Sequence, residues 1–248
     1  MRARARSAVR VARFGGLLTA TLARWELEKR RMSDERQELR KEELRHSVSG
    51  RILDIFGVEL RRNRPAPVSE RPKLVVANHR AALDIGILLR ELGGTFLSRA
   101  DLAEWPVVGR LAREADTIFV DREDRGSGAA AIRSMRRSLK AGKSVMIFPE
   151  GATFRGDLVQ PFQPGAFIAA RGLEVDIVPV GLAYPPGVEY VDITFVEHVE
   201  GLARRPHTRV GVAFGDPFHA EGRADALAER CHGVVQSLVR EARVLADR

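Results

Sequence analysis

The chain has 248 residues, 44% of them hydrophobic and 30% charged, with a formal charge of +8. That length supports one substantial core, or one core with a small appendage, and the composition excludes a largely disordered chain. A single cysteine, Cys231, excludes an internal disulfide and a Cys-rich metal site, and the scattered His residues include no H-x-x-x-H, so nothing points to a bound metal.

The first 24 residues carry Arg2, Arg4, Arg6, Arg10, Arg13 and Arg24, with no acid before Glu26. Between them, Phe14 to Ala23 is apolar but shorter than the ~20 residues a membrane span requires. No small-x-small cleavage site follows it, so an Arg-rich helix lying in a membrane interface is expected, with a frayed terminus as the plain alternative. From Trp25 to Arg45 charges alternate, and Glu38/Glu42 and Arg36/Arg40 repeat at helical spacing, which predicts a long solvated helix. Ile52, Leu53, Ile55, Phe56 and Val58 form a compact apolar cluster interrupted by Gly57. Asn63-Arg64-Pro65-Ala66-Pro67 then reads as a loop. We place a soft boundary here, between an N-terminal helical segment (1–60) and a catalytic unit (61–248).

Beyond it, strands and helices alternate. Strands are predicted at Leu74–Ala77, Thr95–Leu97, Thr117–Val120, Ser144–Phe148, Val175–Leu182, Val191–Val196 and Val210–Phe214. Helices are predicted through Ile85 to Leu89, through Leu111, from Gly126 to Leu139, and from Asp225 to Leu245. Such alternation implies an α/β fold with a mixed, largely parallel sheet covered by helices, in addition to the N-terminal membrane-associating helix.

Three apolar strands end in polar clusters: Asn78-His79, Asp121-Arg122 and Glu150-Gly151. In open α/β sheets the ligand crevice lies beyond the carboxyl ends of the strands, so these clusters are expected to converge. His79 and Asp84 would lie roughly 140° apart on one regular helix, so they meet only if His79 sits on the turn and Asp84 in the first helical turn. In that arrangement the carboxylate holds one imidazole nitrogen while the other faces outward as a base. With no Ser or Cys nearby, the proton donor is a substrate hydroxyl. Each piece also has an ordinary reading. His79 and Asp84 can cap a helix, Arg122 can pair with Asp121 or Asp124, Glu150 can cap a turn, and Gly151 can supply a positive φ.

Taken together, these blocks resemble the glycerolipid acyltransferase family, which includes the lysophosphatidic acid acyltransferases. Asn78-His79 with Asp84 resembles its His-x4-Asp motif, Thr117 to Arg122 its second block, Phe148-Pro149-Glu150-Gly151 its third and Val178-Pro179-Val180 its fourth. Ser98-Arg99 and Trp105 to Gly109 resemble the usual lead into the second block, with Arg99 where a Lys is common. Two positions depart from the pattern. Arg80 stands where a Ser often follows the His, and the third block continues Gly151-Ala152-Thr153-Phe154-Arg155 in place of Gly-Thr-Arg-Ser.

The resemblance implies transfer of a fatty acyl group from acyl-CoA or acyl carrier protein to a lysophospholipid hydroxyl, foremost 1-acylglycerol-3-phosphate, at the cytoplasmic face of a membrane. It assigns His79 and Asp84 to catalysis, and Arg122, Glu150 and Gly151, with Arg99 and Arg155, to substrate binding; it implies no metal or redox cofactor. The altered third block keeps another acceptor open, such as a lyso-ornithine lipid. A basic nucleic-acid-binding protein is the alternative of another class, against which stand the dispersed Arg residues and the lack of an aromatic stacking platform.

Overall fold

A computed structural model of the chain describes residues 2–121 and 124–248. Two helices come first, α1 (Arg2–Glu28) and α2 (Asp34–Phe56). The helix expected to run unbroken from Trp25 to Arg45 is thus divided at residues 29–33, where a short 3-10 turn and Ser33 redirect the chain. Helix α2 ends on Gly57, whose φ of 64° places the chain in the left-handed region that closes helices.

The strands are β1 (Val58–Arg62), β2 (Lys73–Ala77), β3 (Thr95–Arg99), β4 (Ile118–Val120), β5 (Val145–Ile147), β6 (Asp176–Ala183), β7 (Thr208–Phe214) and β8 (Phe218–His219). They form one sheet in the order β1-β7-β6-β2-β5-β3-β4, with β8 paired to β6. Among the described residues only the β6–β7 and β6–β8 pairings are antiparallel. Strand β1, which straddles the boundary expected near residue 60, is hydrogen bonded to β7 along its whole length. The remaining helices are α3 (Leu83–Leu92), α4 (Val108–Glu114), α5 (Arg125–Lys140), α6 (Gly165–Ala170), α7 (Phe195–Arg204) and α8 (Ala224–Asp247). Val191–Val196, expected as a strand, is instead a turn leading into α7. Thr194 accepts a bond from the Glu197 amide while Glu197 reaches back to the Thr194 amide, a reciprocal cap that starts a helix at this point.

Strand side chains alternate between faces, and the central strand β2 feeds two cores. Val75 and Ala77 pack with α2, α3 and α7, while Leu74 and Val76 pack with α5, α6 and α8. Phe14 and Leu17 bring α1 onto the first of these cores. Helix α8 lies so close to the sheet that a Cβ on Gly211 would sit 1.8 Å from the Ala242 carbonyl oxygen. Among the described residues no helix is long and apolar enough to cross a membrane.

Candidate active site

Because β2, β5, β3, β4 and β6 run parallel, their carboxyl ends share one edge of the sheet. At the end of β2 the Asn78 side chain replaces a strand backbone: its Nδ2 donates to the Leu182 carbonyl at 2.9 Å and its Oδ1 accepts from the Leu182 amide at 2.8 Å. The main chain is thereby released into a turn while the strand stays anchored.

His79 occupies that turn and Asp84 the first turn of α3. The His79 Nδ1–H donates to Asp84 Oδ2 at 2.7 Å. The same oxygen accepts from the amides of Arg80 (2.6 Å) and Ala81 (2.9 Å), and the Tyr184 hydroxyl donates to Oδ1. Asp84 has no exposed side-chain surface, so four donors replace its lost hydration. Burial, then the neighbouring carboxylate, push the Tyr184 phenol well above its ordinary pKa, which keeps it a hydrogen donor. The imidazole stacks on Phe148 with ring centroids 4.0 Å apart, and its Nε2 has no partner among the described residues. This tautomer leaves Nε2 with a free lone pair, the state a general base requires.

Arg80 lies inside the protein, with 2% of its side chain exposed against 0% for Glu150, and the two form an ion pair at 2.8 Å. Its remaining donors reach the carbonyls of His79, Gly156 and Leu158 at 2.6 to 3.0 Å. The other bonds of Glu150 are equally internal, from the His79 amide at 2.7 Å and the Gln160 amide at 2.8 Å. The resemblance assigns Glu150 to substrate binding, but its carboxylate has no exposed surface with which to meet a substrate. It anchors the backbone of the His79 turn instead. Gly151, at φ 83°, borders the cavity and turns the chain in a conformation that disfavours any side chain.

The loop from Gly151 to Gln163 is gripped from its far side by α8. Arg243 forms a two-pronged pair with Asp157 at 2.7 Å on each arm, and Gln236 bonds the Val159 amide and the Asp157 carbonyl. Of the other expected contacts, Arg99 lies on the cavity rim paired with Asp101 at 3.0 Å, and Arg155 points outward to Asp192. Arg122 lies outside the described residues.

Sequence reading missed two contributors, Tyr184 and His198. The latter, on α7, is 3% exposed and accepts the Ala82 amide on Nε2 at 3.3 Å. Burial holds its pKa at about 4, so it is neutral, and Tyr190 stacks on it at 4.9 Å. The reciprocal Thr194–Glu197 cap was the available signal for the helix that carries it.

His79 opens onto a cavity of about 940 Å³, close to the upper end of the ~300–1,000 Å³ typical of small-molecule sites. Its walls are mostly apolar. One side is formed by Phe14, Leu18 and Trp25 of α1 with Ile52 of α2; the other includes Ala131 and Ile132 of α5. Such a space has room for an extended hydrocarbon, and the His–Asp pair at its edge has the geometry of a general base.

A family model described as Acyltransferase matches residues 56–183. A lyso-ornithine lipid O-acyltransferase of Pseudomonas aeruginosa is 30% identical over 231 residues, 89% of this chain and 88% of that one. A 1-acyl-sn-glycerol-3-phosphate acyltransferase of Neisseria meningitidis is 30% identical over 133 residues, 54% of this chain and 52% of that one. The crystal structure of the 1-acyl-sn-glycerophosphate (LPA) acyltransferase PlsC from Thermotoga maritima superposes with a TM-score of 0.74 at 20% identity, covering 97% of this chain and 98% of that one. With its motif blocks set along one sheet edge and matched by the family model over more than half its length, the chain belongs to the acyltransferase family.

Proposed function

We propose that this acyltransferase moves a fatty acyl group from a thioester, acyl-CoA or acyl carrier protein, to the hydroxyl of a lyso-lipid. The observation that carries the reading is the buried His79–Asp84 pair at the edge of an apolar cavity large enough for an acyl chain. His79 Nε2 removes the hydroxyl proton as the oxygen attacks the thioester carbonyl, and Asp84 balances the imidazolium. When the tetrahedral intermediate collapses, the carbon–sulfur bond breaks and the thiolate takes the proton back from His79. One ester and one thiol are formed for each thioester and alcohol consumed. A positioned base contributes about 10²–10⁴-fold to such a step. Glu150 and Arg80 act by holding the His79 turn, and Gly151 by shaping the adjoining wall.

Two acceptors are supported. The Pseudomonas aeruginosa relative named as a lyso-ornithine lipid O-acyltransferase matches 89% of this chain, and the Neisseria meningitidis relative named for 1-acyl-sn-glycerol-3-phosphate 54%. Arg122, which follows β4 in the sequence, would supply a charge-assisted contact for a phosphate headgroup. We place the enzyme on the cytoplasmic face of a membrane, held by α1, where exposed Val9, Val11 and Leu27 share the surface with Arg4, Arg13 and Arg24. The test is turnover of acyl thioester with lysophosphatidic acid and lyso-ornithine lipid, by wild type and by Arg122→Ala. Arg122→Ala should raise the KM for the phosphate acceptor alone. Turnover of neither lipid refutes the proposal.

A further inference from the structure

The outer face of α5 carries charge that the proposed chemistry has not used. From Arg125 to Pro149 the sequence contains no acidic residue. Arg133, Arg137 and Lys140 are exposed and fall at i, i+4 and i+7, which places them on one stripe about 10 Å long. None of the three forms an ion pair among the described residues; Arg137 donates only to the Ser134 hydroxyl, at 2.8 Å. Other exposed helix faces pair their cations with acids close by, as Lys41 with Glu38, Arg45 with Glu42 and Arg204 with Glu200 show. Gly126, Ala129 and Ala130, exposed on the same side nearer the site, add no bulk. On its inner side the same helix contributes Gly128, Ala131 and Ile132 to the cavity that contains His79.

The layering says which way this stripe faces. Helix α5 packs in the core on one side of the sheet, whereas α1 packs in the core on the other. With α1 on the lipid surface, the α5 stripe points away from the membrane into water. An unpaired cationic stripe there, on the helix whose inner face lines the cavity, suits a macromolecular acidic partner that delivers the thioester. Resting on the acyl-transfer reading above, we propose that the outer face of α5 is the docking surface for the acyl donor when that donor is an acidic acyl carrier protein. Arg133, Arg137 and Lys140 lie against an acidic helix of the carrier, and the thioester arm enters past the N-terminal turn of α5. Charges of this kind act chiefly on encounter, raising association by about 10–10³-fold and losing that effect with salt.

The test compares wild type with the variant R133E/R137E/K140E in the full chain, using one acyl group carried either on acyl carrier protein or on CoA. Expected is a loss of at least about tenfold in kcat/KM with the carrier donor, mostly in KM, and less than about twofold with CoA. Salt should depress the wild-type carrier reaction and leave the variant's nearly flat. Binding to phosphatidylglycerol vesicles should be unchanged. Equal losses with both donors, no loss with the carrier, a wild type that accepts CoA alone, or lost vesicle binding each overturn the dock. Affinity for carrier lacking an acyl group is measured separately by fluorescence anisotropy. Salt-sensitive binding lost in the variant upholds the dock even if wild type transfers no acyl group, a result that would overturn only the acyl-transfer reading; absence of binding overturns the dock.

Discussion

Replacing Asp84 by Asn tests the mechanism most directly, because it keeps the shape and removes the charge. The carboxylate is fully buried and 2.7 Å from His79 Nδ1, so it feels the charge gained on the imidazole with little solvent between them. At a charge separation of about 4 Å and an effective dielectric near 20, the interaction is about 4 kcal/mol. Each ~1.4 kcal/mol is tenfold in rate, so loss of this term alone slows the chemical step by about 10³-fold. The amide brings a second penalty. Its single oxygen can serve the Arg80 and Ala81 amides or the Tyr184 hydroxyl, and an NH2 turned toward His79 holds the ring in the wrong tautomer; in a serine protease the equivalent change costs about 10⁴ in kcat. We therefore expect kcat to fall by about 10³–10⁴-fold, with acceptor KM close to wild type and a stability loss of about 1–3 kcal/mol from the buried donor the amide leaves unpaired. Single-turnover acyl transfer on protein verified as folded by circular dichroism measures it. Activity of Asp84→Asn within tenfold of wild type would show that the imidazole needs no counter-charge and refute the base mechanism.

Three further outcomes are expected. Glu150→Gln leaves Arg80 buried without a counter-ion and should cost about 3–5 kcal/mol of stability by urea denaturation, whereas R80M/E150Q, which removes both charges, should recover part of it. His198 stays neutral in the folded protein to about pH 4, while its unfolded imidazole protonates near 6.5. The unfolded state therefore binds the proton first, and stability falls as pH drops from about 6.5 to about 4, by up to roughly 3 kcal/mol. His198→Gln should flatten that limb of a Tm-against-pH profile, and an unchanged limb would assign it to other groups. Cys231 is fully buried with its thiol pushed up to about 12, so it is protonated throughout the working range; Cys231→Ala should keep full acyl transfer, and loss of activity in folded protein would point to a covalent thiol route.

What could be read in advance followed from how local each signal is. Buried strands such as Leu74–Ala77 and Val145–Ile147 announce themselves as apolar runs, and the geometry of His79 and Asp84 follows from their spacing on a turn and a first helical turn. Val191–Val196 misled because its apolar residues mimic a strand, whereas the Thr194–Glu197 cap fixes a helix start. Tyr184 could not have been found this way. It reaches Asp84 from 100 positions along the chain, only because β6 lies parallel to β2. Arg80 was legible as a departure, yet its role depends on Glu150, 70 positions away, being buried beside it. A charged residue in a motif looks like a ligand contact until its burial is known.

The grip of α8 on the loop from Gly151 to Gln163 sets when in its own synthesis this protein can begin to work. Chains emerge from the ribosome amino-terminus first, so the basic helix α1 is exposed long before the site exists. His79, Asp84, Glu150 and even Tyr184 are made while nothing yet holds Asp157 and Val159. Those anchors, Gln236 and Arg243, come from α8, which also covers the β6–β7 surface left bare at Gly211 until Ala242 arrives. On the membrane placement proposed above, a nascent chain can thus reach the lipid surface while its site remains incomplete. Acyl transfer begins only after α8 has left the exit tunnel and closed against the sheet.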